Sequence, residues 1–287
     1  MIPVLRFAPS PNGLLHLGHA YSALMTAAAA RQLGGKMLLR IEDIDIARSK
    51  PEFRDAILED LEWLGVGWSG AVLHQSERFD IYESAASRLL RDGLLYACFC
   101  SRAQVAASAN GTDPDGAPIY PGTCRHFPDE VALKRIAAGE PCVWRLAMKR
   151  AIAAAPDLEI REFRTFRHVA GELVMDDLQT RPARPLDWGD VVVRRKDTPT
   201  SYHLSVVVDD AAQQVSHVTR GMDLYRATDV QVQLQALLGL PHPIYAHHDL
   251  IRDENDTKLA KSRSAPSLRS LRQAGMTAAE VRAQVGF

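Results

Sequence analysis

The chain opens with a run of apolar residues, 2–7, stopped by Pro9, Pro11, Asn12 and Gly13. That pattern predicts a buried strand followed by a tight loop. From His16 to about Leu33 the chain is alanine-rich, which favours helix. Gly34 and Gly35 end the helix, and residues 36–41 read as a second strand. Strand, helix and strand at this spacing form a βαβ unit, which implies an α/β fold with a parallel sheet. Ligands of such sheets lie beyond the carboxyl ends of the strands.

Residues 51–64 have the pattern of an amphipathic helix, with Pro51 suited to its first turn. A further helix is expected over 77–91, ended by Asp92-Gly93. Residues 94–100 are strand-like and finish in two thiols, and 109–118 are rich in turn residues. Residues 142–166 read as strands around an alanine-proline loop, and 187–197 as a return to the main sheet. A turn follows at Thr198-Pro199-Thr200. Another strand ending in a charged loop is expected over 215–224, a helix over 226–238 closed by Gly239, and a last short strand over 243–248. Residues 263–287 hold a basic Ser-Arg stretch and two short helices.

At 287 residues the chain can hold one large domain or two smaller ones. Its formal net charge of −1 gives no global basic signature for nucleic acid, although a local basic face suffices. The first residues lack the basic start and cleavage site of a signal peptide. No apolar run approaches the roughly 20 residues of a membrane span. A cytoplasmic protein is therefore expected, and its four cysteines point to metal ligands or buried thiols rather than disulfides.

Several residues carry candidate chemistry. A helix beginning near His16 presents free N–H groups and a positive dipole end, an anion site. His16 and His19 share one helical face, and Gly18 between them allows close approach to the backbone. Glu42, Asp43 and Asp45 follow the second strand; they could bind an amine or a metal, or form a solvated acidic turn. Cys98, Cys100 and Cys124 can supply three thiolates, with His126 the obvious fourth ligand on chemistry alone; buried thiols are the plainer reading, and Cys142 belongs in the core. Arg161, Arg164 and Arg167 interleave with Phe163, Phe166 and His168, either to meet RNA or as a solvated strand face. On their own, Tyr202 reads as a core tyrosine and Arg220 as a surface arginine. Lys258, Lys261 and Ser262 could neutralise a triphosphate.

The segment His16-Leu17-Gly18-His19 resembles the "HIGH" motif of class I aminoacyl-tRNA synthetases, and Lys258-Leu259-Ala260-Lys261-Ser262 resembles their "KMSKS" motif. The lead-in Arg6-Phe7-Ala8-Pro9-Ser10-Pro11 is similar to the glutamyl/glutaminyl branch. Cys98-x-Cys100 followed by Tyr120-x-x-x-Cys124 resembles the glutamyl-Q tRNA(Asp) synthetases, with a longer intervening loop here. The resemblance implies a Rossmann-like catalytic core split by an insertion. Residues 1–97 and 186–250 would be its two halves, 98–185 a zinc-containing acceptor-stem-like subdomain, and 251–287 the KMSKS-like loop and C-terminal helices, with no anticodon-binding domain. It implies Arg6, Ser10, Glu42, Tyr202 and Arg220 on glutamate, and His16, Gly18, His19 and Lys261 on ATP. His16, His19, Lys258 and Lys261 would be the catalytic set. Structural zinc would rest on Cys98, Cys100, Tyr120 and Cys124, with Tyr120 rather than His126 as the fourth ligand, and magnesium would accompany ATP.

The implied reaction is activation of L-glutamate by ATP without tRNA, then transfer to queuosine in the anticodon arm of tRNA(Asp), by a monomer with no membrane attachment. Two alternatives stand beside it. One is a shortened glutamyl- or glutaminyl-tRNA synthetase charging a 3′ end. The other is a non-catalytic nucleotide- or tRNA-binding paralogue, for which Ala260 in the second motif is the support.

Overall fold

The computed structural model describes residues 2–251 and 266–287. In chain order, β1 is Val4–Phe7, α1 Leu17–Gln32, β2 Lys36–Ile41, α2 Pro51–Trp63, β3 Leu73–His74, α3 Phe79–Arg91 and β4 Leu95–Cys98. Next come α4 (Arg102–Ser108), α5 (Asp129–Ala137), β5 (Val143–Leu146), α6 (Met148–Ala154), β6 (Glu159–Val169) and β7 (Glu172–Pro182). Then follow β8 (Val192–Arg194), α7 (Tyr202–Ala212), β9 (His217–Gly221), α8 (Ala227–Leu238) and β10 (Ile244–His248). The C-terminal helices are α9 (Leu268–Gln273) and α10 (Ala278–Gln284).

The expected βαβ unit is present. β1 and β2 pair in parallel from Val4↔Lys36 to Phe7↔Leu39, and β3 extends the sheet beyond β2. β9, β10 and β6 form a second parallel set, to which β7 adds antiparallel. Ser216 joins the two sets at their amino ends. Val4 N donates to Ser216 Oγ at 2.8 Å, and Ser216 N donates to the Val4 carbonyl at 2.9 Å. The carboxyl ends of β1, β2, β9 and β10 therefore open into one crevice, where a parallel α/β sheet binds its ligand. The sheet and α1 enclose a core that includes Leu5, Phe7, Ala23, Met25, Leu39 and Ala246, all buried.

Some expectations are corrected. The stretch 142–166 is not all strand, because Met148–Ala154 folds as α6. Its sequence, MKRAIAA, is dominated by strong helix formers. Residues 187–197 do not rejoin the parallel sheet; β8 pairs antiparallel with β5, which pairs antiparallel with β4. The strand expected within 215–224 is β9, and the loop expected at its end is a 3₁₀ turn over Met222–Leu224. The helix expected from residue 77 starts as α3 at Phe79, after a 3₁₀ turn over Gln75–Glu77. β3, α4, α5, α7 and β7 have no counterpart among the expectations. β6 and β7 are both eleven residues long and make a hairpin, whose β6 strand extends the parallel set beside β10.

Candidate active site

A cavity of about 440 Å³ opens at the crevice. Arg6, Ser10, His16, Gly18, His19, Glu42, Tyr202 and Arg220 all line it. These positions come from six different elements and loops, and folding brings them together on one cavity. Lys258 and Lys261, with Ala260, lie outside the described residues.

His16 is the N-cap of α1 and makes a capping box with His19. Gly18 N donates to His16 Nδ1 at 3.0 Å, and His16 N donates to His19 Nδ1 at 3.2 Å. A backbone N–H can only donate, so both Nδ1 atoms are unprotonated acceptors. Each neutral ring then carries its proton on Nε2. Burial lowers both pKa values, that of His19 to about 3 with His16 adding to the effect, so neither ring is charged at neutral pH. Gly18 serves a tighter purpose than open access to the backbone. A Cβ there would meet His16 Cε1 at 2.9 Å, so glycine lets the capping ring lie across the helix start.

Glu42 N donates to the Pro9 carbonyl at 3.0 Å, which fastens the loop after β1 to the end of β2. Beneath the cavity is a fully buried arginine, two residues before Glu42, to which the family resemblance gives no role. Arg40 Nη1 donates to Asp210 Oδ1 at 2.7 Å, and Arg40 Nη2 to Glu42 Oε1 at 3.1 Å. Arg6 Nε reaches the same Asp210 oxygen at 2.9 Å, and its Nη1 reaches the Thr219 carbonyl at 3.3 Å. Burial pushes Asp210 up, but Arg6 and Arg40 outweigh it and hold the carboxyl below its usual range. Burial wins at Glu42 and raises its pKa despite Arg40 and Arg6. An ammonium group arriving in the cavity would oppose that shift and favour the carboxylate. A sequence signal existed: an arginine inside the apolar strand Lys36–Ile41 must find an acid when buried.

Arg220 is the penultimate residue of β9 and is 4% exposed, a buried cation rather than the surface residue its own sequence context suggested. Tyr202 is the first residue of α7, and burial raises its pKa, so it presents a protonated phenol. The site thus offers a carboxylate for an ammonium, guanidinium and phenol groups for carboxylates, and two imidazole Nε2–H donors beside a helix N-terminus for a phosphate.

The thiols form a second, separate cluster. The sulfurs of Cys98, Cys100 and Cys124 lie within 4.8 Å of one another, and this group could hold a metal ion. Cys100 Sγ is 3.6 Å from Cys124 Sγ and 3.7 Å from Tyr120 Oη. Tetrahedral zinc with bonds of about 2.3 Å spaces sulfurs by about 3.8 Å, so the observed spacing fits. His126 is exposed and is not part of the cluster, whereas Tyr120 is buried within it. Cys124 N donates to Tyr120 Oη at 2.7 Å and aims the phenol. Burial pushes Cys124 up, but its hydrogen bonds with Tyr120 and the Phe99 backbone bring the net shift below the usual thiol value. Arg125 and Tyr96 both donate to Asp190, which ties this knuckle to β4 and to the segment before β8.

Comparison with known proteins matches residues 4–278 to the catalytic domain of class I tRNA synthetases of the E and Q type. The chain belongs to this family. It is 44% identical, over 99% of its length and 100% of the relative's, to the glutamyl-Q tRNA(Asp) synthetase of Rhodobacter capsulatus. It is 37% identical to the glutamate–tRNA ligase of Hydrogenobaculum over 94% of this chain but 54% of that protein. Its fold is similar to the crystal structure of a glutamate tRNA ligase from Elizabethkingia meningosepticum in complex with its amino acid. The TM-score is 0.68, at 26% identity, covering 96% of this chain and 54% of that one. Among the described residues no helix is long and apolar enough to cross a membrane.

Proposed function

We propose that this protein activates L-glutamate with ATP and transfers the glutamyl group to queuosine at the wobble position of tRNA(Asp). The observation that carries the first step is the convergence of Glu42, Tyr202 and Arg220 with His16 and His19 on one cavity. Glu42 takes the ammonium, and Arg6, Ser10, Tyr202 and Arg220 orient the rest of glutamate. The Nε2–H groups of His16 and His19 and the start of α1 hold the triphosphate. An α-carboxylate oxygen attacks the α-phosphorus, the bond to the bridging oxygen breaks, and pyrophosphate leaves. The nucleophile is already ionised, so the protein supplies position and charge rather than a general base. Lys258 and Lys261 are assigned to the leaving pyrophosphate by motif, and magnesium accompanies ATP.

The second step is supported by similarity to the Rhodobacter capsulatus protein along its full length. The acyl–phosphate bond of the adenylate breaks, AMP leaves, and the glutamyl group passes to the modified base. Zinc would be held by Cys98, Cys100, Tyr120 and Cys124, with four protein ligands and no open position, so it would brace the knuckle rather than join the reaction. The same reading makes the protein a cytoplasmic monomer.

Labelled glutamate, ATP and tRNA(Asp) with and without queuosine test the proposal. Label is expected only on queuosine-containing tRNA and at the modified base. Label on the terminal ribose would contradict it and favour a shortened tRNA-charging enzyme.

A further inference from the structure

Three buried arginines surround the cavity, and their partners differ in kind. Arg6 and Arg40 share Asp210, and Arg40 also holds Glu42. Two cations face two carboxylates there, so that cluster is formally neutral. Arg220 has partners of another sort. Its Nε donates to His247 Nε2 at 3.2 Å, its Nη1 to Gln231 Oε1 at 2.7 Å, and its Nη2 to Thr228 Oγ1 at 2.6 Å. The Tyr245 ring lies 5.3 Å from the guanidinium carbon. Among the described residues no carboxylate is within ion-pair distance of Arg220.

His247 is a neutral partner too. Its Nε2 accepts a hydrogen bond from a guanidinium, which can only donate, so that nitrogen carries no proton. Burial and the Arg220 charge hold its pKa well below the ordinary value. A buried cation without a counter-ion is costly. Here the oriented dipoles of an amide, a hydroxyl and an imidazole offset part of that cost while leaving the net charge in place. Three of the five guanidinium N–H groups are engaged, which fixes the plane of the fork and leaves two for a ligand.

We propose that Thr228, Gln231 and His247 are positioning residues that keep Arg220 electrically uncompensated, so that the substrate's own carboxylate becomes its counter-ion. This neutral cage sets the preference for an acid over the matching amide. L-Glutamate brings a net charge of −1 and neutralises the site. L-Glutamine has the same shape and no net charge, and would leave the cation buried and unpaired. The proposal rests on the reading of this cavity as a glutamate site and adds how the site rejects the amide.

The test is Gln231→Glu, nearly isosteric, which sets a carboxylate against Nη1. Binding of L-glutamate and L-glutamine is measured by calorimetry, and KM and kcat for glutamate and ATP by pyrophosphate exchange. Glutamate affinity should fall on the order of 100-fold, the scale of a close charge pair. KM for glutamate should rise in step, KM for ATP should stay within a few-fold, and the glutamate-to-glutamine ratio should collapse. Gln231→Leu, which removes the acceptor without adding charge, should lose far less. If Gln231→Glu does not fold, Thr228→Asp applies the same charge to Nη2. A charged variant that binds glutamate as well as the parent, or loses both amino acids equally, overturns the cage. A parent that binds no glutamate overturns the cavity reading itself, and the cage with it.

Discussion

At the scale of single residues, the first helix is capped by imidazole rather than by the usual hydroxyl or carboxylate. The cap and the proposed phosphate site are then one object, because engaging each Nδ1 with the backbone leaves each Nε2–H free of the cap. The arrangement requires neutral rings. In the unfolded chain His19 takes up a proton near pH 6.5, and in the folded protein only near 3. Between those values the unfolded state binds more protons, so His19 contributes stability that is fully present above pH 6.5 and lost as the pH falls toward 3. Nitrogen NMR of the rings should show His19 neutral, with its proton on Nε2, at pH 5. The urea midpoint should decline from pH 7 to pH 4, with a shallower decline in His19→Asn. A His19 ring that titrates near pH 6.5 would contradict the capping geometry.

Among the elements, legibility depended on how local the cause was. The apolar run of β1, the alanines of α1 and the glycine at 239, which adopts a left-handed φ of 62°, carry their structure in neighbouring residues. β8 is different. Its valines suit any sheet, and only the pairing Trp144↔Arg194, fifty residues apart, decides which one it joins. The site residues followed the same division. His16, within a motif, could be named from sequence, whereas Tyr202 was named only through the family resemblance. Asp210, Thr228, Gln231 and His247 could not, and Arg40 signalled only that it needs an acid, because their partners meet only once strands and helices far apart in the chain come together.

The cysteine knuckle lies between these cases. Its thiols were visible in sequence, but the choice between His126 and Tyr120 on geometry needed the fold. The spacing of its sulfurs predicts one zinc per chain. The Cys98→Ser, Cys124→Ser double variant should lose that metal by elemental analysis and melt at a lower temperature. Equal metal in variant and parent would exclude the cluster as the zinc site.

Across the whole molecule, the C-terminal helices pack against the catalytic core. Leu268 N donates to the Leu15 carbonyl at 2.8 Å, beside the first motif. Arg282 Nη2 donates to the Leu64 carbonyl at 2.6 Å, and Phe287 stacks on His168 with ring centroids 3.8 Å apart. The chain's last residues thereby brace the start of α1, the end of α2 and β6. The proposed glutamate contacts and phosphate donors all come from this one chain. Activation should therefore proceed without tRNA.

The direct measurement is ATP–pyrophosphate exchange with L-glutamate, L-glutamine and L-aspartate in the absence of tRNA. Exchange with glutamate alone is the expected result. Exchange that appears only when tRNA is added, or none with glutamate under any condition, would contradict a self-sufficient glutamate-activating site.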